Sequence, residues 1–113
     1  MSKISWNEDI VEIDGNSIKL DNPVLEAHEF QNVLLVVTTP SNGIQNNLFG
    51  ISIATKKIWK VQNYIEIDPA FSQTPYVGIT ISKDNVIVTD FCGCKFIINP
   101  LNGQIIGREA SAK

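Results

Sequence analysis

CKFIINPLNGQIIG, residues 94–107, reads as a strand, a tight turn and a second strand, and LFGISIATKKIWKV, residues 48–61, reads the same way. Each is preceded by an apolar run that opens on Asn-Val: NVLLVVTT at 32–39 and NVIVTDF at 85–91. Laid over one another, the two halves share strands and turns in corresponding places, which predicts a repeated antiparallel strand pattern. Pro40 ends the first run, and the polar stretch 41–47 is a loop by composition. Further turns are expected at Lys83-Asp84-Asn85 and at Pro100-Leu101-Asn102-Gly103.

Working outward, the chain begins with two alternating runs, Ile10 to Ile13 and Ser17 to Leu20, on either side of Asp14-Gly15. That pair suits the positive φ angles of a two-residue hairpin turn. VLEAHEF, residues 24–30, fits one side of a short helix or a strand, and its β-rich surroundings favour the strand. A fainter third echo of the repeat lies in NSIKLDNPVLE, residues 16–26.

These lines resemble the strand pairs of β-propeller blades of the PQQ-like repeat families. IINPLNGQIIG fits through Asn99, Asn102 and Gly103 in its turn, whereas SIATKKIWKV fits through Trp59 but carries Lys56 in place of the turn glycine. The resemblance covers about residues 32–109. It implies antiparallel β-meanders and no cofactor, because quinone-binding propellers build their site at the centre of a complete ring. A blade takes roughly forty to fifty residues, so 113 residues cannot close a ring of several blades.

The expected fold is therefore all-β: two blade-like meanders plus an N-terminal hairpin, packed as a sandwich or as a curved open sheet. We read residues 1–113 as one β domain, with an N-terminal hairpin and strand at 1–31, a first repeat at 32–63 and a second at 76–109. Phe49, Ile51, Ile53, Trp59, Val88, Phe96 and Ile98 are the expected core.

Composition limits the function. Hydrophobic residues make up 43% and charged residues 19%, which suits a folded soluble chain. No stretch has the length and apolarity of a membrane helix, and the start lacks the pattern of a signal peptide, so a cytoplasmic location and no membrane partner are expected. The two cysteines agree with a reducing compartment. Residues 1–30 hold seven acids and two bases, a balance of −5, and the remainder balances to +2. Direct nucleic-acid binding is disfavoured by this distribution, and a basic protein partner is favoured.

Candidate chemistry is sparse. His28 lies between Glu26 and Glu29, and an extended chain places Glu26, His28 and Phe30 on one face; a small enzyme or ligand-binding protein built on His28 is the contrasting reading. Cys92 and Cys94 share a face but supply too few ligands, even with His28, for a structural zinc site, so no metal is expected. No serine or cysteine stands in a nucleophile motif, and no glycine-rich phosphate loop is visible. The connection between the repeats is the most suggestive stretch. There Tyr64 and Phe71 bracket Glu66 and Asp68, and aromatic anchors beside charges are typical of protein interfaces.

These features point to a non-catalytic protein-binding module. The expected class is an immunity protein that neutralises a cognate toxin domain with a basic cleft, with a scaffold or regulatory module as the alternative. Tyr64, Glu66, Asp68 and Phe71 are the expected contact residues, with Glu26 and Glu29 as second choices.

Overall fold

The computed structural model describes residues 3–40 and 47–109. Among the described residues eleven strands run in chain order: β1 (Ile4–Asn7), β2 (Ile10–Ile13), β3 (Asn16–Lys19), β4 (Val24–Phe30), β5 (Val33–Thr38), β6 (Leu48–Ser52), β7 (Ile58–Lys60), β8 (Tyr76–Ser82), β9 (Asn85–Asp90), β10 (Lys95–Ile98) and β11 (Ile105–Glu109). One 3-10 turn, Tyr64–Glu66, interrupts them, and there is no α-helix among the described residues. The fold is all-β, as the alternating patterns require. Of the loop read at 41–47, only Asn47 lies within the described residues.

Three open sheets form, each a meander of sequential antiparallel neighbours: β1-β2-β3, β4-β5-β6-β7 and β8-β9-β10-β11. Two differences from the sequence reading stand out. Strand β1 precedes the expected hairpin and pairs with β2 from Ile4↔Ile13 to Asn7↔Ile10. The first meander starts at β4 rather than at residue 32, so both repeats have four strands.

The central sheet, β4–β7, has apolar residues on both faces and is covered on both. One face holds Leu34, Val36, Ile51 and Ile53 against Val11, Ile13 and Leu20 of the N-terminal segment. The other holds Val33, Leu35, Val37 and Leu48 against Tyr76, Ile79, Val86, Val88, Phe96 and Ile98 of the C-terminal sheet. This explains why all six residues of β5 are buried and why its sequence does not alternate.

The turn chemistry follows the sequence. Asp14 and Gly15 take φ of 50° and 84° in the β2–β3 hairpin, and Gly103 takes 77° in the β10–β11 turn. There Asn99 Oδ1 accepts from the Leu101 amide and Asn102 Oδ1 from the Gln104 amide, both at 2.9 Å. Lys56 adopts φ 64° where the propeller-like line carries glycine, and its ammonium donates to the Ile53 carbonyl.

Of the expected core, Ile51, Ile53, Val88, Phe96 and Ile98 are buried. Trp59 and Phe49 are only half-buried. Phe49 lies beside the edge strand β7 and lines a cleft with Lys19, Leu20 and Lys60. Trp59, on β7 itself, crosses Gly50 so closely that a Cβ there would lie 1.9 Å from the ring, and it also abuts Gly103.

Candidate functional site

The connection from β7 to β8 folds back on itself. Glu66 Oε2 accepts from the Asn63 amide and Asp68 Oδ1 from the Ala70 amide, each at 3.1 Å. The Asp68 and Phe71 amides donate to the Tyr64 and Asp68 carbonyls, each at 2.9 Å. Such local bonds fold the start of the connection, where apolar and acidic residues alternate from Tyr64 to Asp68, into a 3-10 turn at Tyr64–Glu66.

Tyr64 and Phe71 consequently face inward. Tyr64 stacks on Phe96 with centroids 5.0 Å apart and 22° between planes, and Phe71 meets Tyr64 edge-on at 5.0 Å. Arg108 closes this cluster, its guanidinium carbon 5.2 Å from the Tyr64 centroid and 5.4 Å from that of Phe71. The geometry is that of a cation held on ring faces. Both aromatics are half-buried and brace the loop, so their exposed area is limited.

Isoleucines take the outward positions. Ile65 is 41% exposed, Ile67 48% and Ile106 65%. Tyr64, Ile67, Ile106, Gly107 and Arg108 line one groove, while Glu66 and Asp68 stand exposed on the same turn. Ile65, Ile67 and Ile106 are not among the contact residues expected from the sequence. The signal was the alternation of isoleucine with acid in Tyr-Ile-Glu-Ile-Asp, which places apolar and charged residues side by side on whichever element forms.

The remaining candidates lie apart in the fold. His28 Nε2 is 2.5 Å from Glu26 Oε2, both partly exposed, on the face of β4 that looks toward β8. Glu29 points to the opposite side and is exposed. Cys92 is exposed and Cys94 half-buried, with Cys94 Sγ 3.8 Å from Arg108 Nη2. Among the described residues no three His, Cys, Asp or Glu side chains gather as a metal site, and no helix is long and apolar enough to cross a membrane.

A family model described as Domain of unknown function (DUF7957) matches residues 1–110, which takes in all three sheets. The chain belongs to the DUF7957 family. No curated protein and no solved structure matches it. Within this DUF7957 domain the isoleucine groove brings exposed apolar residues and the carboxylates of Glu66 and Asp68 together.

Proposed function

We propose that this DUF7957 domain is a non-catalytic protein-binding module, and that it serves as an immunity protein whose partner is a basic toxin domain. The observation that carries the reading is the exposed set Ile65, Ile67 and Ile106 beside the carboxylates of Glu66 and Asp68. Exposed apolar residues next to charges supply the two parts an interface needs, a desolvated centre and a charged rim. The rigid aromatic support beneath the loop lowers the ordering cost of binding. Tyr64 and Phe71 act here as braces, and Ile67, Ile106 and the two acids as contacts. The acidic balance of residues 1–30 adds long-range attraction for a basic partner.

The test is co-expression with the toxin domain encoded beside the gene. Wild type should restore growth, and Ile67→Lys with Asp68→Lys should weaken binding by at least about tenfold. Undiminished protection by that variant would refute the surface, and absence of any neighbouring toxin would remove the immunity role.

A further inference from the structure

We propose that the open edge of β11 binds by strand addition, pairing with an extended, basic segment of the partner protein. This inference rests on the protein-binding role above and specifies how the same surface is engaged. β11 ends the order of the C-terminal sheet. The two-residue turn Lys83-Asp84 closes on Ser82↔Asn85, a pair that exchanges both hydrogen bonds. Alternation from that pair makes Val86↔Ile98 and Val88↔Phe96 bonded pairs, and then Ile97↔Gly107 and Lys95↔Glu109. Arg108, between the last two, therefore turns its backbone N–H and C=O away from β10.

Sheets normally guard such an edge with a charge, a proline or a covering loop. Among the described residues Gln62 covers only the beginning, its Oε1 accepting from the Ile105 amide at 2.9 Å. From Ile106 onward there is no proline, and the Arg108 side chain is drawn aside over Tyr64, Phe71 and Phe96. The bare edge also runs along the groove of Ile67, Ile106 and Gly107. An added strand would hydrogen-bond to Arg108 and lay an apolar side chain between Ile67 and Ile106. Glu109 is exposed on the other face of β11, and Glu66 and Asp68 stand exposed on the neighbouring turn, so the charge around the edge favours a segment that carries lysine or arginine.

The probe is an acetylated heptapeptide of alternating valine and lysine, titrated to about 1 mM against the isotope-labelled protein. The Ile106 and Arg108 amides should shift, and the Arg108 amide should exchange with solvent about tenfold more slowly. Ile106→Lys, at a position 65% exposed and so harmless to the core, should weaken the peptide about tenfold. A peptide N-methylated at alternate residues should leave those amides unmoved. Unchanged amides across 106–109 at the highest concentration, or equal binding of the N-methylated peptide, would overturn strand addition. The peptide assay involves no toxin, so its failure is separate from failure of the growth rescue.

Discussion

The hydroxyl of Tyr76 donates to the Gln62 carbonyl at 2.6 Å, and its backbone is held at both ends by Asn47. Asn47 Oδ1 accepts from the Tyr76 amide at 2.9 Å, while its Nδ2 donates to the Tyr76 carbonyl at 2.7 Å and to the Thr38 carbonyl at 2.8 Å. One tyrosine and one asparagine thus join the central and C-terminal sheets through bonds that are nearly dry. Burial first, then the Asp90 and Glu66 carboxylates, hold the Tyr76 phenol well above its usual range. The unfolded chain releases that proton near pH 10, whereas the folded chain retains it to higher pH. This group's stabilisation is therefore complete below about pH 10 and lost as pH rises beyond it. Tyr76→Phe should cost about 1–3 kcal/mol at neutral pH, because it leaves the Gln62 carbonyl without its donor. It should also flatten the alkaline fall in the urea midpoint relative to wild type. Equal alkaline slopes for both proteins would show that another group controls that limb.

At the scale of elements, the two repeats correspond closely, but not in the register their letters suggest. Aligning Asn32-Val33 with Asn85-Val86 is natural in the sequence. The structure instead pairs the hairpins by their turns: Phe30↔Val33 closes the first and Ser82↔Asn85 the second, with Gln31 and Lys83 at φ 54° and 56°. The bulges agree with this, falling between Val24 and Glu26 and between Tyr76 and Gly78. Val33 therefore corresponds to Asn85 and Leu34 to Val86, a slip of one residue that reverses every side chain. Strands, turns and the all-β class were legible because each is written in local alternation and turn residues. Register was not, because β5 is apolar on both faces and gives no phase. The inward turn of Tyr64 and Phe71 was hidden for a related reason, since it depends on loop bonds and on Arg108, which is distant in sequence. The corrected register makes a prediction. On the uncovered face of the C-terminal sheet, Asn85, Thr89 and Lys95 occupy the places of Val33, Val37 and Leu48, which the central sheet buries. Polar residues there keep that face of the sheet compatible with water. Restoring the pattern with Asn85→Val, Thr89→Val and Lys95→Leu should create an apolar patch and cause concentration-dependent self-association in sedimentation velocity. A variant that stays monomeric at about 100 µM, a concentration at which contacts of −6 kcal/mol are populated, would contradict this.

For the molecule as a whole, the acidic excess and the proposed contact groove lie in different parts. The N-terminal segment carries the acidic excess, with Glu8, Glu12, Asp14, Asp21 and Glu29 exposed, while Asp9 is matched by Lys19 at 3.6 Å. The isoleucine groove belongs instead to the β7–β8 connection and the C-terminal sheet. Exposed charges act through a field screened over about 8 Å at physiological ionic strength, so they guide encounter more than they hold the complex. Desolvated apolar contacts do the reverse and set the dissociation rate. If the partner is a basic toxin domain, Glu12→Lys with Glu29→Lys should slow association severalfold at low salt, leave dissociation within about twofold, and lose its effect near 0.5 M salt. Ile67→Lys should chiefly speed dissociation. Surface-immobilised toxin domain and stopped-flow mixing at several salt concentrations separate the two rates. A faster dissociation for the Glu12 and Glu29 variant, with association unchanged, would mean that the acidic surface of β2 and β4 is itself the contact surface and that the groove is not.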